Sequence, residues 1–572
     1  MLAAEGVEVV FGIIDGTYFG LYSAFEENGI RLVGPRHETS AAHMAGAYAR
    51  LTGKLGVCIA SNGPGVANVL PGVAVENGEG NRVLLITSCR RPGIAYPDRG
   101  GTFQYFNQVA VTKPMTKWSG AVPSFERIPE MMRRAFRASF KGRPGVVHVD
   151  VPENVLNGSF KTGGPEIRPP SAYRRTAPLA PDPEAVKQSV DLLTAAKHPI
   201  LHAGNGVIAA RAFDELLAVA KLLRAPVTTS WAGRCAQAET HELAVPMLHV
   251  EINTKVRNDA DVVLALGTRL GETDWWGKAP YWAAAGEQKL IQVDVDEDIL
   301  GMNKAMTLGV LADARLSLAA VHQELEARGS VGAVGPRDAK IAEYGTLMAK
   351  NRADLDKNLT KSAEGVHPSH VATTCQKVFD DDAILVIDGG NTAVWANFYH
   401  QVKAPNTVLT TPKFGMLGAG VSQALGARIA CPDKQVYCII GDGAMGFHPQ
   451  EVETAIRNDL PVIYLVLCDR QWGMVKMTQQ FQMKPLKTLV MKSLSPEETI
   501  NTDLGEIRFD LLAESMGAHG ERVSAPEELE PAIRRCLEAG RCSVIHVDVD
   551  PVAHMWAPAL KHFKDMHQEP KG

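Results

Sequence analysis

The chain has little that would suit it to an extracellular, zinc-finger or membrane protein. Its nine cysteines include no C-x-x-C pair, which excludes both a zinc knuckle and a disulfide framework. Several of them, such as Cys58 and Cys438, lie inside apolar runs and read as buried, reduced thiols. No apolar stretch approaches the roughly 20 residues a membrane span requires, and no signal peptide precedes the first strand. A reducing, cytoplasmic setting is the expectation. With 59 basic and 64 acidic residues the net charge is −5, so no excess of positive charge recruits nucleic acid or an anionic membrane. Glycine, in contrast, is plentiful at 52 residues, as a fold with many strand-to-helix turns requires. At 572 residues the chain is too long for one core, and three domains are expected.

Short apolar runs alternate with helical stretches in three blocks. The first block has strands at Val9–Ile13, Leu55–Ala60, Val83–Thr87 and Gly145–Val151, and a helix over Thr39–Thr52. A Gly/Pro-rich linker, Gly158 to Pro183, leads to a second block with strands Ile200–Ala203, Val227–Thr229, Val262–Leu266 and Leu290–Val295. A polar helical linker, Gly329 to Glu364, precedes the third block. This alternation predicts an α/β protein of three doubly wound parallel-sheet domains, spanning 1–157, 184–327 and 365–553. Residues 554–572 read as a polar tail, either a loose lid or a packing arm. The chain opens almost at once on its first helix and strand, Met1 to Ile13, so that helix reads as cut short, with a start upstream.

The most informative stretch is Gly441-Asp442-Gly443-Ala444-Met445-Gly446, followed by Cys468-Asp469-Arg470-Gln471-Trp472-Gly473. The apolar run Val436–Ile440 meets a turn with almost no side-chain bulk. A second run, Val462–Leu467, ends at Asp469, and Pro449–Arg457 between them reads as a helix with Pro and Glu at its start. That is a βαβ unit with one acidic residue at the carboxyl end of each strand. Open α/β sheets bind ligands at that edge, and Mg²⁺ takes one or two carboxylates plus phosphate oxygens. Gly-Asp-Gly alone is a common turn; the second acid after the helix and strand turns it into a metal–diphosphate candidate.

Further Gly-rich turns occur at Ala60-Ser61-Asn62-Gly63-Pro64-Gly65-Val66-Ala67-Asn68, Asp388-Gly389-Gly390-Asn391-Thr392 and Phe414-Gly415-Met416-Leu417-Gly418-Ala419-Gly420. Glu38, in Arg36-His37-Glu38, stands where a strand-like run becomes an Ala-rich helix. Dipole matching alone accounts for most acids in such a place. Taken together and in this order, these segments resemble the thiamine diphosphate enzymes of the acetohydroxyacid (acetolactate) synthase, pyruvate oxidase and benzaldehyde lyase group along nearly the whole chain.

The resemblance carries specific expectations. Glu38 is the acid that hydrogen-bonds the cofactor's aminopyrimidine ring. Asp442, Asp469 and the carbonyl of Gln471 hold Mg²⁺ on the diphosphate. Gly390, Asn391 and Thr392 line the diphosphate, with the turn residues Gly441, Gly443, Ala444 and Met445. Met416, Leu417, Trp472, Gly473 and Met474 complete the cofactor cradle, Leu417 as the bulky residue beneath the bent cofactor. Where the family has two Asn residues, this chain has Cys468-Asp469; a carboxylate is a harder and more charged ligand than an amide. In the family the glutamate half and the metal half of one site belong to different chains, so a second copy of this chain is the implied partner, in a homodimer or homotetramer.

For the reaction, the resemblance is closest to acetolactate synthase: decarboxylation of a 2-keto acid, then carboligation to a second carbonyl. Alternatives are a simple 2-keto acid decarboxylase, a benzaldehyde-lyase-like enzyme, and a 2-hydroxyacyl-CoA lyase or oxalyl-CoA decarboxylase type. A catalytically silent regulatory subunit of the same fold is an alternative of another class. The aromatic that selects the second substrate would fall near Thr478, and Phe-Gln-Glu appears as Phe103-Gln104-Tyr105. Substrate contacts are expected from His37, Gly63, Gln104 and Thr478. Asn107 and Gln108 are candidates because amides hold a carboxylate without ionising, and His37, His43 and His448 flank the site. In the second block, Gly204-Asn205-Gly206-Val207-Ile208-Ala209 is a G-x-G-x-x-A without an evident strand-end acid for a ribose. Gly267-Thr268-Arg269 resembles the turn that approaches FAD in acetolactate synthase, and members of this group bind FAD, ADP or nothing there.

Overall fold

The computed structural model describes residues 1–161, 164, 166–329, 331–361, 363–566, 568 and 570. Its strands form three sheets, and every pairing within them is parallel. The first holds β1 Val9–Gly12, β2 Arg31–Val33, β3 Gly56–Ala60, β4 Val83–Cys89, β5 Trp118–Ala121 and β6 Val146–Pro152, in the order β2-β1-β3-β4-β6-β5. The second holds β7 Pro199–Ala203, β8 Val227–Thr229, β9 Val262–Leu266, β10 Lys289–Asp294 and β11 Leu308–Leu311, in the order β11-β10-β9-β7-β8. The third holds β12 Ile384–Asp388, β13 Val408–Leu409, β14 Val436–Gly441, β15 Ile463–Cys468, β16 His519–Val523 and β17 Ser543–Asp548, in the order β13-β12-β14-β15-β17-β16. The central strands are apolar and buried along their length, as strands covered by helices on both faces must be.

Each sheet begins with a central strand, turns to one side, and then returns past its start. The order therefore reverses once per sheet: between β1 and β3, between β7 and β9, and between β12 and β14. At such a reversal the loops leaving two neighbouring strands diverge to opposite faces and open a crevice. The Gly-rich turns after Ala60, Ala203, Leu266, Asp388 and Ile440 all fall there. Gly12 pairs with Ile59, one residue before Ala60; Ala203 pairs with Leu266; Asp388 pairs with Ile440.

The first and third domains pack through the Ala-rich helix Glu38–Thr52 against the helix Ala419–Ala430. Small residues let the two backbones come close: a Cβ on Gly426 would lie 2.4 Å from the Met44 carbonyl oxygen. Glu451 accepts the backbone N–H of Arg36 at 3.1 Å with each oxygen. Glu79, at the end of the helix Pro64–Glu79, accepts the N–H groups of Lys413 and Phe414 at 3.0 and 2.9 Å. The helix Val334–Asp356 occupies most of the predicted polar linker. The predicted linker at 158–183 falls partly outside the described residues.

Of the two forms expected for the tail, a loose lid or a packing arm, the structure shows a packed one. The tail does not leave the third domain at residue 554: Pro551–Met555 is a helix, capped by Asp550, with His554 and Met555 buried. The next helix, Leu560–Met566, carries Met566 into the central-domain cluster around Trp275 and Trp282. Asp550-Pro551 is a recognisable helix start, and burial of His554 and Met555, with Trp556 half-buried beside them, draws the arm inward.

Candidate active site

β14 delivers Gly441 to the sheet edge, and the chain turns directly into the short helix Asp442–Met445. The Asp442 carboxylate accepts the N–H of Gly443 at 2.7 Å and that of Arg470 at 2.8 Å, tying the ends of β14 and β15 together. Asp469 is buried just beyond β15. It accepts the Gln471 backbone N–H at 3.3 Å, the Gln471 side-chain amide at 3.2 Å and Nδ1 of His554 at 2.6 Å. Burial first, and the charge of Asp469 second, raise the Asp442 carboxyl above its usual range. Two carboxylates crowded in this way favour a cation between them.

Asn391 opens the helix Asn391–Tyr399 beside this pair, and it is buried with neither end of its amide hydrogen-bonded among the described residues. Leaving such a group unpaired costs about 1–3 kcal/mol, which a ligand at that point removes. Gly473 keeps the opening clear: a Cβ there would lie 2.5 Å from Asn391 Nδ2 and 3.4 Å from Asp469 Oδ2. Two carboxylates and an amide oxygen suit a hard divalent cation such as Mg²⁺. Gln471 sits against Asp469 and donates its side-chain amide to the Pro551 carbonyl at 2.8 Å.

The other cradle residues gather on the same crevice. Thr392 Oγ1 lies 3.0 Å from His554 Nε2 and close over Gly441. The Trp472 ring covers Gly443, Met474 covers Gly390, and Ala444 and Met445 are buried behind the turn. Met416 and Leu417 are half-buried on the loop that enters the helix Ala419–Ala430, which Asp388 fixes by accepting the Gly420 N–H at 2.8 Å. One other group could be read as a metal site: Glu506, His546 and Asp548 lie within 4.8 Å of one another. There, however, Arg522 bonds both carboxylates, so part of their charge is already offset.

Glu38 is the first residue of its helix, and His37 caps it by accepting the Thr39 N–H at 3.2 Å. Glu38 Oε2 accepts the Asn68 amide at 3.0 Å. Gly63 holds φ +67° and packs on Gln104, itself exposed at φ +51°. Three histidine and amide expectations need correction or refinement. Gln108 is spent: it accepts the Gly63 N–H at 2.9 Å and donates to Ser88 O at 2.9 Å and Asp150 at 2.7 Å. Asn107 caps the next helix through Ala110 N–H. His43 is fully buried with Nδ1 2.8 Å from Glu76. All three hold the scaffold. His37 and His448 face each other with ring centres 5.3 Å apart, and burial lowers His448 to about 4, so it is neutral near pH 7. Thr478 is exposed and donates to its own helix at Met474 O. Among the described residues no hydrogen bond joins Glu38 to the Asp442 cluster.

The second sheet's crevice is a cleft of about 410 Å³ lined by Gly206, Gly267, Arg143, Arg269, Lys413 and Asp294. The strand-end acid that the sequence did not reveal is Asp294, the last residue of β10, which pairs with β9 in register. Burial raises its carboxyl to about 6. The crossing of Gly206 and Gly267, where a Cβ would meet backbone at 2.5 Å or less, lets the two loops close the floor of this cleft.

Paired carboxylates over a glycine turn at the switch point of a parallel sheet are suited to a metal–diphosphate group. The family comparison agrees: residues 1–111, 186–321 and 388–547 match the N-terminal, central and C-terminal domains of the thiamine pyrophosphate enzymes. The chain belongs to that family. It is 29% identical to the acetolactate synthase isozyme 3 large subunit of Escherichia coli (strain K12) over 570 residues, covering 98% of this chain and 95% of that protein. It is 28% identical to a probable acetolactate synthase large subunit of Methanococcus aeolicus, covering 96% and 91% of the two chains. It is also 29% identical to the sulfoacetaldehyde acetyltransferase of Castellaniella defragrans, covering 94% and 89%. His554 and Asn68 are the site residues that sequence reasoning left without a role.

Proposed function

We propose that the protein decarboxylates a 2-keto acid with thiamine diphosphate and Mg²⁺ and joins the retained carbon unit to a second carbonyl, in the manner of acetolactate synthase. The observation that carries this reading is the buried Asn391 amide, unpaired among the described residues, beside Gly473 and Asp469. Thiamine diphosphate supplies a nucleophilic carbon that adds to the keto group and accepts the electrons released with CO₂. Asp442, Asp469 and Asn391 would hold Mg²⁺, while Thr392 and the turn at Gly443–Met445 would line the diphosphate. Glu38, at a helix N-terminus with Asn68 on one oxygen, is placed to exchange a proton with the pyrimidine ring. A second copy of the chain supplies the missing half of each site. Supporting this are exposed apolar side chains on both domains that carry the halves: Phe19 and Phe103 on the first, Phe447 and Val475 on the third. The second cleft fits an adenine nucleotide such as FAD or ADP, with three cations for phosphate and Asp294 for a ribose.

The test is to incubate the protein with thiamine diphosphate, Mg²⁺ and pyruvate. Acetolactate is the expected product; CO₂ without a new carbon–carbon bond would leave a decarboxylase. The exposed Thr478 and the acetyltransferase relative favour a second reading, in which sulfoacetaldehyde is the better donor, and a parallel assay with that compound separates the two. The visible spectrum of the purified protein reports flavin.

A further inference from the structure

His554 belongs to a segment that reads as a tail, yet its side chain is only 3% exposed and both ring nitrogens are engaged. Nδ1 lies 2.6 Å from Asp469 Oδ2 and Nε2 lies 3.0 Å from Thr392 Oγ1. The carboxylate only accepts, so Nδ1 carries the hydrogen; in the neutral ring Nε2 then takes the Thr392 hydroxyl hydrogen. The backbone holds the ring equally firmly. The His554 carbonyl accepts the Trp395 indole N–H at 2.9 Å, and Asp550 caps the short helix through Val552 and Ala553. Trp395 lies on the same helix as Asn391 and Thr392. Pro551 receives the Gln471 amide. One short helix thus ties together the turn after β12 and the turn after β15, the two loops that flank Asp442.

We propose that His554 is a positioning residue that orients Asp469 toward the metal and Thr392 toward the diphosphate, and that its N–H is what fits an aspartate to position 469. The proposal rests on the metal–diphosphate reading above. A lone carboxylate beside Asp442 would rotate to relieve repulsion; the fixed His554 donor on Oδ2 pins it and leaves Oδ1, whose one bond among the described residues is the 3.3 Å contact from the Gln471 N–H, available to the cation. Partners of this kind, one bond removed from a metal, are worth about 10- to 100-fold in metal affinity.

The test measures Mn²⁺ binding to the full-length protein with thiamine diphosphate, by the electron paramagnetic resonance signal of free Mn²⁺. His554→Ala should weaken Mn²⁺ binding about tenfold or more, and His554→Gln, whose amide can still donate to Asp469, should restore part of it. In an Asp469→Asn background the His554→Ala loss should shrink, because the two residues act as a pair. If His554→Ala does not fold, as its circular dichroism would show, Thr392→Val and His554→Gln decide: each should lower affinity without lowering helix content. Unchanged Mn²⁺ affinity in the folded variants, or an equal loss with and without Asp469→Asn, overturns the clamp alone. A wild-type chain that binds no Mn²⁺ with thiamine diphosphate overturns the underlying reading and the clamp with it.

Discussion

The metal half and the glutamate half of this site are built on opposite principles. Around Asp442 and Asp469, residues from four segments of the third domain converge through bonds of 2.6 to 3.3 Å, and the crevice is lined before any ligand arrives. Around Glu38 a single hydrogen bond among the described residues, from Asn68, fixes the carboxylate. The neighbouring loop at 103–104 is exposed. The contrast follows from the chemistry. A divalent cation and a diphosphate need several hard ligands in a fixed array, whereas a proton-transfer group needs one oxygen and a dry surrounding that a second chain can provide.

The sharpest way to break the comparison is to separate the halves. Glu38→Gln should lower kcat about 100-fold or more while leaving the thermal stabilisation by thiamine diphosphate and Mg²⁺ intact; Asp442→Ala should abolish that stabilisation. If the halves meet across two chains, mixing the two inactive variants after dissociation should restore activity to about a quarter of wild type, the share of intact sites under random pairing in a two-fold dimer. No recovery would place both halves in one chain.

A smaller effect is expected from Gly63→Ala. The alanine would have to adopt φ +67° with its Cβ 2.7 Å from the Gln104 carbonyl oxygen. The loss should be on the order of 1–3 kcal/mol, read from the urea midpoint, and the affinity for Mn²⁺ should stay unchanged because the metal half is independent.

The smallest effect is a change in pH dependence. Burial raises the Glu79 carboxyl to about 7 against an ordinary 4.5. A raised carboxyl binds its proton more tightly in the folded state, so its contribution is complete below the ordinary value and is lost as pH rises through 7. Glu79→Gln should therefore flatten the stability profile between those limits and gain on wild type at about pH 8. A parallel profile in the two proteins would show that Glu79 is ionised at no cost.

Much of the third domain could be read from the chain alone, because its signals are local. Asp442 and Asp469 each follow an apolar run by one or two residues, so their place at a strand end is set by the run itself. Asn391 and Thr392 follow from the same logic after β12. Residues whose role depends on what they meet were harder to read, or were missed. Gln108 and Asn107 are amides near the site in sequence, yet Gln108 bonds Gly63, Ser88 and Asp150 and Asn107 caps a helix. Asp294 ends a strand with no glycine turn beside it, so nothing local marks it; it faces Gly206 and Gly267 only because β10 lies beside β9.

The sequence by itself determined the strand and helix periods, the three-domain division and the glycine turns, all consequences of backbone sterics and apolar patterning over a few residues. Strand order was decided only in three dimensions. Because each sheet reverses direction beside its first strand, turns far apart in the chain face one crevice, and His554, buried by the packing of its own short helix, comes to rest between Asp469 and Thr392.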